Sequence, residues 1–449
     1  MTIKQSSEAL IAGPIAPALI NLAAPMLLAI LSMMAFNLID TFFVARLGTP
    51  QLAALTLTFP VIMVISMFTI GLGVGAMAVI SQTIGGNRQD SVKRLATDAL
   101  SLALLCATGL TIIAMATVDP LFTLLGAGKD ILPYVKQYMA VWYPGLVFYV
   151  VPMIGGNIMR STGDTLTPSI LMIGSMVLNA ALDPLLIFGW GFVPGMGIAG
   201  AAMASLVSRA VMLLATLWVL LFREKLLTNP WPGKKQLLSS WKSIMVIGLP
   251  VAVSNAIIPI ALGVVSRIII HYGPGAIAGF GVATRIEAFG LTPIFALSNG
   301  ISPFVGQNLG AQRIDRIRGG LSMTMAFSVF WGLGLLGIFL MAGKPIAFIF
   351  NSQPEVAGSA VLYLTIVSVS MGLRGVHQVT WTALNVMGKP YDALVLEFIL
   401  AFGLWAPFSF FGSRIAGIVG IYWGISAANI VAGVIAWWWV GRILKNKMA

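Results

Sequence analysis

Charged side chains are scarce in this sequence. Only 9% of its 449 residues are Asp, Glu, Lys or Arg, whereas 58% are hydrophobic. A soluble protein of this length carries far more charge, so the composition excludes a soluble globular protein. Many apolar runs reach about 20 residues, which is long enough for a helix to cross a bilayer. The sequence therefore predicts an all-α polytopic membrane protein.

Cysteine and histidine are almost absent as well. Cys106 is the only cysteine, and His271 and His377 are the only histidines. A single cysteine excludes an intramolecular disulfide and a Cys-rich metal site. The sequence shows no nucleophile–base set and no protease or kinase motif, so we expect neither an enzyme nor a cofactor. The N-terminus also lacks the pattern of a cleaved signal peptide.

The net charge of +12 does not indicate a nucleic-acid-binding protein, because the basic residues are spread over short loops. Those loops hold 17 Lys and Arg on one side and 5 on the other. Since cytoplasmic loops carry the excess, both termini are expected in the cytoplasm, at the inner membrane of a bacterium. The predicted spans are 16–45, 51–84, 95–118, 132–157, 166–189, 196–222, 243–270, 276–307, 318–342, 356–384, 391–411 and 416–441.

An internal repeat relates the two halves of the chain at a constant shift of 225 residues. The matched pairs are Pro25 with Pro250, Gly48 with Gly273, Arg88 with Arg313 and Gly163 with Gly388. The repeat predicts two pseudo-symmetric six-helix lobes, 1–222 and 243–449, joined by a cytoplasmic linker, 223–242. Transporters use such repeats to move two bundles about a central site. A duplicated scaffold without a transport role stays open.

One carboxylate lies in an otherwise uncharged span. Asp40 interrupts the apolar run 19–44, where a charge costs about 2.5–3.5 kcal/mol or more and by default marks a functional site. The repeat places Val265 at the equivalent position in the second half. It likewise places Leu404 opposite Asn179 and Phe408 opposite Asp183. Only the first half carries this polar cluster.

Topology brings further residues to the depth of Asp40. Asn179 and Asp183 are four residues apart and share a helix face, as do Ala201 and Ser205 in the next span. These five residues form the predicted site. Oxygen ligands without Cys or His suit a hard monovalent cation or a proton. We expect H⁺ or Na⁺ there, with Na⁺ on Asp40, Asn179 and Asp183. A buried cluster that only ties three helices together is the alternative.

Other residues have weaker signals. Pro25 lies fifteen residues before Asp40 in the same span, where it is a hinge or a static kink. Met33 and Asn37 precede Asp40 on its helix face, and Met172 and Met176 precede Asn179, which predicts a flexible binding surface. Arg285 and Glu287 are two apart and face different directions. Arg209, Arg267 and Arg374 are expected to reach the membrane interface.

Several motifs together resemble the multidrug and toxic compound extrusion (MATE) family over nearly the whole chain. They are LIDTFFVARLG, QTIGGNR, QNLGAQR, MRSTGDTLTP, LNAALDP and GIAGAAMAS. The resemblance is to the DinF-like branch, because spans 7 and 10 lack the acids of the NorM-like branch. It implies twelve spans in two lobes, and a cation site on Asp40, Asn179 and Asp183 with a bend at Pro25. It also implies a substrate chamber that includes Met33, Met63, Tyr138, Asn157 and Met172.

The expected activity is secondary active antiport. A monomeric transporter would export drugs and dyes that are amphipathic and often cationic, in exchange for H⁺ or Na⁺. The alternative is a lipid-linked precursor flippase of related architecture. A flippase is disfavoured because the central polar cluster is acidic, whereas a pyrophosphate needs a cationic cavity.

Overall fold

A computed structural model describes residues 3–191, 194–229 and 233–446, with side chains from residue 7 onward. No β-strand occurs in these ranges. In the first half the helices are α1 Ile3–Ala12, α2 Ile15–Ala45, α3 Thr49–Gly85, α4 Gln89–Ala116, α5 Val118–Leu124, α6 Leu132–Trp142, α7 Leu146–Ser161, α8 Leu166–Phe188 and α9 Ile198–Trp218. In the second half they are α10 Lys234–Ile269, α11 Pro274–Gly310, α12 Ile314–Phe350, α13 Pro354–Val367, α14 Met371–Val386, α15 Pro390–Phe398 and α16 Ala406–Asn446.

The helices provide the twelve predicted membrane spans. Within the described residues, ten helical stretches are each long and apolar enough to cross a membrane, and α6 with α7 forms an eleventh that bends by 50°. One of the ten, Pro390–Asn446, has 57 residues. At 1.5 Å per residue it is about 85 Å long, far more than one crossing needs. Its helical dihedrals break at Ala416 and Gly417, which divides it into the last two spans.

Several boundaries differ from the prediction: α12, for example, ends at Phe350 and not at 342, and two further differences affect the architecture. The fourth predicted span is broken between Trp142 and Leu146, next to Pro144, whose ring cannot continue a regular helix. Helix α10 begins at Lys234, so the later part of the predicted linker is helical. Trp241 in that part donates from Nε1 to the carbonyl of Asp98 at 3.0 Å. This contact holds the early turns of α10 against α4.

The backbone repeats as the sequence does. Gly48 and Gly273 begin α3 and α11 with the same unusual geometry, at φ 132° and 101°. Both angles lie in the region that favours glycine. Asn87 and Gln312, also 225 residues apart, have φ of 55° and 58° before α4 and α12. The pseudo-symmetry of the two halves is therefore confirmed at the level of individual turns.

Two compact units result, and they exchange helix segments. Leu28–Leu249 forms most of the first unit, whereas Glu8–Leu27 joins the chain from Pro250 onward in the second. The start of α10 thus belongs to the first unit, where Gly75 lies against Ile244 and Gly248. The start of α2 belongs to the second, where Gly300 lies against Ala23. These two crossings are related by the same shift of 225.

The predicted lobes, 1–222 and 243–449, differ from these units by the exchanged segments, and the lobe boundaries stay a prediction. Glycines permit the close crossings because a Cβ at Gly75 or Gly300 would meet backbone atoms of the partner helix. Within the first unit, one core joins four helices through Val44, Tyr138, Ile187 and Ala201. This core fixes α2, α6, α8 and α9 around the predicted polar site.

Candidate cation site

Three polar side chains of the first unit meet inside the membrane-spanning region. Asp40 of α2 is only 8% exposed, and Asn179 and Asp183 of α8 are fully buried. Asn179 donates from Nδ2 to Oδ1 of Asp183 at 3.3 Å. Asp40 interacts with both side chains. The structure therefore brings together the three residues on which the predicted site is centred.

Each of these residues keeps one oxygen without a hydrogen-bond partner in the described part of the chain. The atoms are Oδ1 of Asp40, Oδ1 of Asn179 and Oδ2 of Asp183, and all three are buried. A buried oxygen without a partner is costly, and an ionised one costs most. A proton or a hard cation would satisfy such oxygens. The donor chemistry therefore fits the predicted ions.

Arg209 of α9 adds a positive charge to the site. Its guanidinium acts electrostatically on Asp40 and on Tyr138. It also lies 4.6 Å from the ring centroid of Tyr149 and 5.6 Å from that of Phe36. The half-buried guanidinium thus lies near one carboxylate and two aromatic rings, and the expectation that Arg209 reaches the membrane interface stays a prediction. Arg209 is four residues from Ser205 and so shares its helix face, and this spacing could have predicted that Arg209 lies near the site.

Ala201 and Ser205 are buried on α9, which packs on α8. Among the described residues, no hydrogen bond joins the Ser205 hydroxyl to Asp40 or Asp183, whereas Arg209 of the same helix acts electrostatically on Asp40. The participation of Ala201 and Ser205 stays a prediction.

The predicted chamber residues occupy different environments. Tyr138 is buried and interacts electrostatically with both Asp40 and Asp183. Asn157 is buried against Gly73 of α3. Arg160 lies 3.5 Å from the sulfur of Met172, and its Nε is buried without a partner. Of the others, Met33 and Asn37 are exposed, and Met63 and Met176 are half-buried. A chamber formed by these residues stays a prediction.

The second unit has no acid at the equivalent positions. Val265 is buried in its apolar core, and Leu404 and Phe408 pack against that core. The polar cluster of the first unit is therefore not part of the shared scaffold.

The second unit does hold polar groups elsewhere. The hydroxyl of Tyr363 donates to Glu287 at 2.6 Å, while Arg285 is exposed, so these two charges face different directions as predicted. Arg374 lies 3.1 Å from Nδ1 of His377, whose Nε2 is 3.7 Å from Glu397. Arg374 is therefore buried in this cluster, and the expectation that it reaches the interface is wrong. Arg374 is three residues from His377 on the same helix face, and this spacing could have predicted their contact.

Comparisons with known proteins agree with this architecture. The MatE family model matches residues 25–185 and 250–411. The FAD transporter of Shewanella oneidensis is 33% identical over 440 residues, which cover 98% of this chain and 97% of that protein. The probable multidrug resistance protein YoeA of Bacillus subtilis is 25% identical, with 89% and 88% of the chains covered. The MATE transporter VcmN of Vibrio cholerae, in its bent form, has a TM-score of 0.92 at 28% identity over 99% of both chains.

Proposed function

The chain belongs to the multidrug and toxic compound extrusion (MATE) family, and we propose that it is an antiporter that exports amphipathic, often cationic compounds in exchange for inward H⁺ or Na⁺. It is a multi-pass membrane transporter and not an enzyme. The observation that carries the proposal is the buried cluster of Asp40, Asn179 and Asp183. Its position in the first half of the chain supports the DinF-like branch.

In this proposal Asp40 carries the ion, and Asn179 and Asp183 complete its coordination. A membrane potential supplies about 2.3 kcal/mol per charge per 100 mV, to which the ion gradient adds. Since a tenfold concentration ratio corresponds to about 1.4 kcal/mol, one ion sustains a gradient of an uncharged substrate of one to several tenfold steps. Exchange of one ion for one monovalent cationic substrate moves no net charge, so the ion gradient alone drives it. With both termini in the cytoplasm of a bacterium, the ion enters from outside as the substrate leaves.

The test is efflux of a fluorescent cationic dye from vesicles that contain the purified protein. A pH gradient and a Na⁺ gradient are imposed separately, which identifies the ion. We expect Asp40→Asn to abolish gradient-driven efflux without loss of expression, because an amide carries no exchangeable charge. Glu287→Gln is the control, since Glu287 lies in the second unit and is held by Tyr363. Full efflux by Asp40→Asn contradicts the mechanism.

A second substrate is favoured by one relative and by the interior arginines. The Shewanella oneidensis FAD transporter is more similar to this chain than YoeA is. Arg160 is half-buried, its Nε is buried without a hydrogen-bond partner among the described residues, and Arg209 faces two aromatic rings. Guanidinium groups bind phosphates, and aromatic surfaces stack on flat rings. A dinucleotide with a pyrophosphate and two ring systems fits this chemistry.

The two substrate classes are separable in vesicles. Uptake of FAD, riboflavin and a cationic dye is measured by chromatography in inside-out vesicles with an imposed ion gradient. A dinucleotide exporter takes up FAD but not riboflavin, and Arg160→Gln lowers the FAD rate more than the dye rate. FAD uptake no higher than in protein-free vesicles contradicts FAD export. The dye measurement then tests export of cationic compounds.

A further inference from the structure

A membrane-facing groove in the second unit ends in a cluster of basic residues. The groove has a volume of about 880 Å³ and lies between α12 and α16, with α14 as its floor. Its lining is mostly apolar and also includes the basic residues Arg318, Arg442 and Lys445. Arg318 is in the second turn of α12, and the other two are in the last turns of α16. No acidic residue lines the groove.

These three cations have no anionic partner within the described residues. None of them takes part in an ion pair. Their neighbours on the same side of the unit differ in this respect. Arg313 pairs with Asp315, and Arg316 donates to the carbonyls of Leu10 and Gly13. The basic end of the groove thus carries three exposed positive charges that no described acidic residue neutralises.

Two tryptophans stand beside the basic end. Trp437 and Trp438 line the groove and are 63% and 55% exposed. The guanidinium of Arg442 lies 5.5 Å from the ring centroid of Trp438. Tryptophan is enriched where the lipid headgroups meet the hydrocarbon, so the pair indicates that the basic end lies at headgroup depth.

The whole groove, including its basic end, has about the length of one leaflet. From Arg318 to Val329 along α12 is about 16 Å, and from Gly433 to Lys445 along α16 is about 18 Å, at 1.5 Å per residue. Half of a hydrocarbon core is about 15 Å. Gly433 lies directly on Leu373 of α14, and a Cβ there would meet the Leu373 backbone. This close packing brings the backbone of α16 near that of α14 at the floor of the groove.

We propose that this groove binds one anionic glycerophospholipid, with its phosphate at Arg318, Arg442 and Lys445 and an acyl chain along α12 and α16. Basic pockets between membrane helices bind anionic headgroups in this way. Charge complementarity selects the headgroup, and the apolar length selects a lipid over a soluble phosphate. The site lies in the second unit and does not depend on the proposed transport cycle.

The test is native mass spectrometry of the detergent-solubilised protein, titrated with phosphatidylglycerol or phosphatidylcholine. We expect tighter binding of phosphatidylglycerol. The triple variant Arg318→Gln, Arg442→Gln and Lys445→Gln should lower that affinity at least tenfold. The matched control, Lys225→Gln with Lys234→Gln and Lys235→Gln, removes the same charge from exposed positions outside the groove and should keep the preference.

A second variant tests the acyl chain with every charge retained. Ala326 is exposed in the groove wall, so Ala326→Trp fills the groove and should also weaken phosphatidylglycerol binding. Three outcomes overturn the proposal: equal affinity for the two lipids, equal loss in both triple variants, or an unchanged affinity in Ala326→Trp. Competition by glycerol 3-phosphate, which has no acyl chain, overturns it as well, because it identifies a phosphate site.

Discussion

At the residue scale, the charges of the cation site determine how many ions it holds. With both carboxylates ionised, Asp40 and Asp183 contribute two negative charges, and Arg209 contributes one positive charge. One monovalent cation then neutralises the cluster. A second cation would leave an uncompensated buried charge, which is unfavourable. In the proposed exchange, a cluster with both carboxylates ionised would therefore bind one ion in each cycle.

In the proposed exchange, the guanidinium of Arg209 competes with the ion for Asp40. We expect Arg209→Gln to lower the half-saturating ion concentration for dye efflux and to lower the maximal rate. The physical reason is that the remaining charges hold a cation more tightly and release it more slowly. The ion dependence of efflux is the measurement. Arg285→Gln, at an exposed position of α11, should change neither value. An unchanged half-saturating concentration in Arg209→Gln contradicts this role.

The sequence predicted the acids of the site but not the arginine. Asp40 is recognisable because it interrupts an apolar span, and the repeat shows that Val265 replaces it in the second half. Arg209 gives no such signal, since a long basic side chain in a span often extends to the interface. The direction of its side chain depends on Tyr149 and Phe36, which belong to two other helices. The cluster of Arg374, His377 and Glu397 was missed for the same reason.

At the scale of single elements, Arg94 of α4 forms a buried ion pair within its own helix and also holds the chain after α9. Arg94 donates from Nε to Asp98 at 2.9 Å and from Nη1 to the carbonyl of Asn229 at 2.7 Å. Asp98 is fully buried. This pairing explains why an acid at this position persists inside a helix of a membrane protein.

Removal of one partner from this ion pair should be strongly destabilising. Asp98→Ala leaves Arg94 buried without its charge partner, which costs about 3–5 kcal/mol. Thermal unfolding of the detergent-solubilised protein measures the effect. The matched control is Asp119→Ala, because Asp119 and its partner Lys136 are 61% and 48% exposed. An exposed pair contributes about 0–1 kcal/mol. Equal melting temperatures for the two variants contradict the structural role of Asp98.

Helix α2 passes from the second unit to the first after Leu27, two residues beyond Pro25. Proline removes one helix hydrogen bond, so bending is easiest there. We expect Pro25→Ala to slow ion-driven dye efflux while the protein still accumulates in the membrane. Pro250→Ala is the matched control, because α10 has Val265 where α2 has Asp40. Efflux by Pro25→Ala at the wild-type rate indicates a static kink instead.

At the scale of the whole molecule, the distribution of basic loops predicts the orientation in the membrane. A fluorescent protein fused to the C-terminus should fluoresce, because it matures in the cytoplasm. Alkaline phosphatase fused after Lys129 should be active, because that loop is predicted to lie outside. The reverse pattern contradicts an orientation with both termini in the cytoplasm.

Much of the architecture followed from the sequence, because apolar length and the 225-residue shift are properties of the chain alone. The exchange of helix starts between units did not, since it depends on which glycines meet across helices. The sequence predicts that Gly75 and Gly300 permit close helix packing, but it does not predict which helix packs against each glycine.

The exchange of helix starts between the two units determines the order in which they assemble. The start of α2 packs against Gly300, which the ribosome adds roughly 280 residues after Ala23. At 5–20 residues per second the wait is about 14–56 s. Throughout this interval the first membrane helix has lipid where it will later have protein. The start of α2 is therefore made before the rest of the second unit, and it joins that unit only after α11 has been made.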